Sequence, residues 1–149
     1  SDEYRGIFDA MIQKVAKEGY EPEGLKGVDK VYFARTAFGK AKATEFGEDN
    51  IVTWMQANGF SILAPEKLSV KDQIYVWNHA REIACLDGSI PMSIAFSDNP
   101  KLKLTVLHKT SLEHLNLELY LLILVLSLTN LIITLTAGKD RDVKAQTYI

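Results

Sequence analysis

Four short stretches of this chain carry side chains suited to holding an anion. Arg35-Thr36 is followed closely by Lys40 and Lys42. Glu66-Lys67 is followed by Ser69. Asp87-Gly88-Ser89 joins a carboxylate, a glycine and a hydroxyl. His108-Lys109-Thr110-Ser111 adds a further cation and two more hydroxyls. Arginine offers a fork matched to phosphate oxygens, and lysine offers a point charge. A glycine lets a phosphate approach the backbone, and a helix N-terminus adds unpaired N–H groups and partial positive charge. Glu66 and Asp87 are acceptors for ribose or sugar hydroxyls. The shared chemistry is recognition of a phosphorylated ligand. Each residue alone is also an ordinary loop residue, because loops are polar. A shared site therefore requires a fold that brings the four stretches together.

The order of elements predicts such a fold. Residues 3–17 place Tyr4, Ile7, Phe8, Met11, Ile12 and Val15 at helical spacing. EPEGLKG then forms a loop, VDKVYFAR (28–35) a strand, and 36–50 a long polar loop. IVTWMQA (51–57) is a short helix closed by Asn58-Gly59. FSILAP (60–65) is a second strand. Ser69-x-x-Asp72 opens a helix, with Ser69 as its N-cap. REIACLD (81–87) is a third strand, SIPMSIAFSD (89–98) a short helix with Pro91 in its first turn, and LKLTVLH (102–108) a fourth strand. Thr110-x-x-Glu113 is a capping-box pattern for another helix. Such alternation implies a three-layer α/β/α, Rossmann-like domain with a mostly parallel sheet. In that class ligands bind outside the carboxyl ends of the strands, where all four stretches fall.

Composition narrows the field. The 149 residues suit a single domain spanning 1–149, and 47% of them are hydrophobic. A net charge of −2 argues against a general nucleic-acid binder. The lone cysteine, Cys85, excludes an internal disulfide and, in its apolar run IACL, is expected to be buried. No GxGxxG, GxxxxGK[ST] or GxSxG is present, which removes the dinucleotide fingerprint, the P-loop and the serine-hydrolase elbow. His79, His108 and His114 lack metal-ligand spacing. His79, at a helix end, is expected as a capping or surface residue, His114 is expected at the surface, and His108 stays open as a binding-edge residue. Trp54 and Trp77, on helix faces, are expected in the core.

Read in order, VYFAR, then GFSILAPEKLSVKDQIYVWNHAREIACLDGSIPMSIAF, then LTVLHKTSL resemble the family 61 glycosyltransferases, from about Lys30 to about Leu112. The carriers are the strand ending in Arg35, the PE-x-LS-x-x-DQ block and the strand ending in Asp87-Gly88-Ser89. The resemblance implies a GT-B type enzyme of capsular-polysaccharide or glycoconjugate synthesis, transferring a hexose or pentose, with this chain as its C-terminal donor-binding domain. Carried over by position, Arg35, Glu66, Ser69, Gln73, Gly88, Ser89 and Lys109 would lie in or near the donor pocket. It further implies a nucleotide diphosphate-sugar donor, a glycan acceptor, a separate acceptor domain or second subunit, and diphosphate departure stabilised without metal or other cofactor. No DxD is present. Family members usually carry Asn after the Gly-Ser/Thr corner and often His before that Asn, where this chain has Ser93 and Met92.

LYLLILVLSLTNLIITLTA (119–137) carries no charge. Three readings stay open for 115–137: a helix followed by a buried strand LIITLTA, a membrane helix, and an altered end. Length favours a span, while Glu118 and Asn130 oppose it. The expected location is cytoplasmic, with membrane attachment through this segment as the variant. The chain begins without Met, as a piece of a longer protein would. The alternative function is a non-catalytic Rossmann-like module for assembly or membrane attachment.

Overall fold

The computed structural model describes residues 2–35, 48–108, 132–139 and 142–148. Helix α1 (Asp2–Lys17) leads through a 3-10 turn (Glu23–Leu25) to strand β1 (Lys30–Phe33). Then follow α2 (Glu48–Ala57), β2 (Ser61–Leu63), a 3-10 turn (Pro65–Lys67), α3 (Val70–His79) and β3 (Glu82–Leu86). A 3-10 segment (Ile90–Phe96), β4 (Lys103–His108), β5 (Ile132–Lys139) and β6 (Asp142–Tyr148) complete the described order. The strands lie side by side as β2-β1-β3-β4-β5-β6. β1 to β5 are parallel, and β6 returns antiparallel to β5.

β1 is buried on both faces, and the alternating direction of its side chains builds the layers. Tyr32 and Ala34 face one side, where they pack with Ala84, with Met55 of α2 and with Phe60. Val31 and Phe33 face the other, where Ile83 and Cys85 of β3, Leu104 and Val106 of β4 and Tyr75, Val76 and Trp77 of α3 form the larger core. Side-chain direction alternates along a strand, so one strand feeds two cores and helices must cover both faces. Trp77, 1% exposed, packs on Phe33 with ring centroids 5.6 Å apart. α1 adds a smaller cluster through Ile12 and Val15 against Ile74 of α3. Its Phe8 meets Phe96 edge to face at 5.2 Å.

The three-layer, mostly parallel α/β architecture is thus as the element order implies. Several details differ. Trp54 is 60% exposed, not core, because α2 is held by Ile51, Val52 and Met55. Ile7 is also exposed, so the buried stripe of α1 is narrower than its apolar spacing suggests. The segment after the Asp87 corner coils as a 3-10 helix rather than as an ordinary α-helix. β6 has no counterpart in the sequence reading, which ends its last strand near Gly138. The alternation in DVKAQTY was the signal available for it. Ile132–Ala137, the end of the apolar run, is extended in β5. The expected helix from Thr110 and the rest of the apolar run lie outside the described residues. Among the described residues no helix is long and apolar enough to cross a membrane.

Candidate functional site

The strand order decides which of the four stretches meet. From β1 the chain crosses over α2 to β2 on one side. From β2 it crosses back over α3, past β1, to β3 on the other. α2 and α3 pack on opposite faces. The order therefore reverses at β1, and the carboxyl ends of β1 and β3 are adjacent. That is the topological switch point, where connections diverge to opposite faces and leave a crevice. Arg35 stands just past β1, and Asp87-Gly88-Ser89 just past β3. Glu66 follows β2 on one flank, and His108 closes β4 on the other.

Arg35 and the corner are in contact. Gly88 has φ 140°, in the region that favours glycine. A β-carbon at 88 would stand 3.1 Å from Cζ and 3.4 Å from Nη1 of Arg35, with Nη2 nearer still. The space a side chain would fill at Gly88 thus holds the Arg35 guanidinium. The corner itself is pinned by the Asp87 N–H, which donates to the Leu107 carbonyl at 2.9 Å and continues the β3–β4 ladder. Asp87 is only 5% exposed, so its carboxylate is turned inward rather than displayed at the rim. Ser89 is exposed, and its hydroxyl caps nothing. Met92 is exposed one turn further on, beside a half-buried Ser93.

The base of Arg35 is held by a residue the sequence reading passed over. Glu48 opens α2 and is 5% exposed. Its Oε1 accepts the Arg35 backbone N–H at 2.9 Å and the Tyr32 hydroxyl at 3.3 Å. Burial, the Glu48 charge, Cys85 and the bond to Glu48 all push the Tyr32 hydroxyl far up, against a smaller opposing effect of Arg35. Burial likewise pushes the Cys85 thiol far up, with Arg35 opposing and Asp87 reinforcing. Cys85 is wholly buried, as its apolar run predicts. In sequence, Glu48 falls within the long polar loop read over 36–50. Its role depends on where α2 returns to the sheet.

The other expected site residues divide clearly. Ser69 caps α3 in a closed box: its Oγ accepts the Asp72 N–H at 3.1 Å, and Asp72 Oδ2 accepts the Ser69 N–H at 2.9 Å. Gln73 donates from Nε2 to the Pro65 carbonyl at 3.3 Å, which ties the turn after β2 to α3. Both side chains therefore hold the local frame of the edge. Glu66 is exposed in that turn. Thr36, Lys40, Lys42, Lys109 and Thr110 lie outside the described residues. The N-terminus of α3 is answered by its own box, and Glu48 and Asp49 stand in the first turn of α2. At this edge the described cation, Arg35, therefore meets the backbone of the Gly88 corner rather than a helix end.

His79 donates from Nδ1 to the Tyr75 carbonyl at 2.9 Å and stacks on the Tyr75 ring. A groove of about 490 Å³ at the α1–α3 junction is lined by Ile12, Val15, Ile74, Tyr75 and His79 among others, and by none of the expected site residues. A ligand pocket for this fold class belongs at the strand ends, not on the outer side of the helices.

The family model described as Glycosyltransferase 61 matches residues 2–104. The match takes in α1, the switch point, Arg35, Glu48 and the Asp87–Ser89 corner, and it ends within β4. Neither the curated proteins nor the solved structures contain a match to the chain. With well over half of its 149 residues matched, and with an α/β sheet whose switch point carries the motif residues, the chain belongs to the family 61 glycosyltransferases.

Proposed function

We propose that this glycosyltransferase chain is a donor-binding domain, taking a nucleotide diphosphate-sugar for polysaccharide or glycoconjugate synthesis. The observation that carries the reading is the contact between Arg35 and Gly88 at the β1/β3 switch point. It sets a permanent cation against the half-buried Gly88 corner, next to the exposed Ser89. Charge develops on the diphosphate as the glycosidic bond to it breaks. A guanidinium and N–H groups already in place stabilise that charge without reorganising. Lys109, one residue past β4, and Lys40 in the loop after β1 would add further positive charge. They would offset the two carboxylates, Glu48 and Asp87, buried behind the site. Glu66, exposed on the β2 flank, would accept from ribose hydroxyls. In this reading the chain pairs with an acceptor domain or second subunit, as in the GT-B architecture, and needs no cofactor besides its donor.

Calorimetric titration of UDP, GDP and related nucleotides into the protein tests the reading. The expected result is saturable binding to one base class, weakened at least about tenfold by Arg35→Ala, as for loss of a charge-assisted contact. Absence of saturable binding to every nucleotide tried would sink it.

A further inference from the structure

We infer that Glu48 is a positioning residue for Arg35, and that the diphosphate-facing geometry of the guanidinium depends on it. This rests on the donor-binding reading above. The Ala34 N–H still follows the ladder and donates to the Leu63 carbonyl at 2.9 Å. The next N–H, that of Arg35, leaves the ladder and donates to Glu48 Oε1 at 2.9 Å. Glu48 thus takes the backbone group at the point where β1 ends and the Arg35 side chain departs. The same oxygen accepts from Tyr32, which is itself fully buried in the sheet, so the carboxylate is tied to the rigid core. A charged acceptor held in a buried place makes a stronger and better-directed bond than a neutral one in water. At the other end of the side chain, the guanidinium occupies the space that a side chain would fill at Gly88. One end of Arg35 is therefore fixed by Glu48, and the other end is received by Gly88.

The arrangement also explains why a carboxylate is kept at the start of α2 and buried there. A helix start needs only a short capping side chain, and an exposed acid there would serve the dipole equally well. Burial of Glu48 under Arg35 serves the strand end rather than the helix.

The test is a double-mutant cycle read by nucleotide affinity. UDP and GDP are titrated into wild type, Glu48→Ala, Arg35→Ala and the double variant, with thermal melts alongside. Glu48→Ala is expected to weaken binding about tenfold. In the Arg35→Ala background the same change is expected to alter affinity by less than about twofold, because it acts through Arg35. Glu48→Gln keeps an oxygen acceptor and is expected to recover most of the affinity. Equal losses in both backgrounds would overturn the inference. If Glu48→Ala does not fold, Glu48→Asp, with one methylene less reach, takes its place. A second measurement works without any ligand. The Arg35 Nε–H resonance is expected to shift in the Glu48 variant, and an unchanged resonance would overturn the inference. Should wild type bind no nucleotide, the donor-binding reading fails, and the resonance alone decides whether Glu48 positions Arg35.

Discussion

The guanidinium of Arg35 fills the space that a side chain would occupy at Gly88, with Cζ 3.1 Å from the β-carbon position. Fifty-odd residues separate the two in sequence, and the β1/β3 neighbourhood joins them. Gly88→Ala should therefore do two things. The positive φ of 140° becomes strained, at a cost of about 1–3 kcal/mol. The guanidinium must also move. Denaturant midpoints of Gly88→Ala in wild-type and Arg35→Ala backgrounds separate these effects. A backbone cost should persist in both, while a steric part should appear only with arginine present. An unchanged midpoint in both would show that the corner is not built this way.

The two tryptophans should report opposite environments. Trp77 is 1% exposed and Trp54 is 60% exposed. Trp54→Phe should leave blue-shifted emission that acrylamide barely quenches. Trp77→Phe should leave red-shifted, readily quenched emission. Trp77→Ala should cost about 3–5 kcal/mol by emptying the centre of the larger core. Comparable quenching of the two single-tryptophan proteins would contradict the placement of α2.

Cys85 is wholly buried, and burial raises its thiol well above the ordinary range. The thiolate is the reactive form, so a native-state thiol reagent should find almost none. At pH 8 a disulfide-exchange reagent should modify Cys85 only after denaturant is added. Fast native labelling would mean that the β3 core opens readily.

Asp72 links stability to pH. Partial burial raises its carboxyl, but bonds from the Ser69 side chain, the Tyr20 hydroxyl and the Ser69 N–H outweigh this and hold it below the ordinary value of 3.8. Tyr20 donates to Oδ1 at 2.7 Å. A depressed carboxyl contributes stability above its unfolded value and loses it as pH falls through the folded one. Asp72→Ala should therefore cost about 1 kcal/mol at neutral pH, with the gap to wild type closing as pH drops below 3.8. Urea midpoints from pH 7 to pH 2.5 would measure this. A gap that does not change with pH would rule out the charged form as the stabilising one.

Much of the fold was legible in the sequence. Periodicity and turn signals located α1 to α3 and β1 to β4 to within a few residues, and Ser69-x-x-Asp72 announced the α3 cap that the structure closes. These signals are local: a cap needs residues three apart, and a strand or helix shows its period within a few positions. The burial of Cys85 and Trp77 was legible for the same reason, because each sits in a strongly apolar context. Trp54 was not. Its own helix face carries enough apolar residues to look buried, and only the docking of α2 through Met55 leaves it in solvent.

What the chain alone determined was the inventory: an α/β alternation with its cations, carboxylates and glycine corner at strand ends. Which ends meet was decided by the tertiary structure. The strand order reverses at β1, and that order is a property of packing among elements far apart in the chain, not of any local pattern. It set Arg35 against Gly88, turned Asp87 inward and brought Glu48 under the Arg35 backbone. The Arg35–Gly88 corner is consequently made by a side chain that follows one strand and a missing side chain that follows another, and neither could be paired before the sheet was assembled.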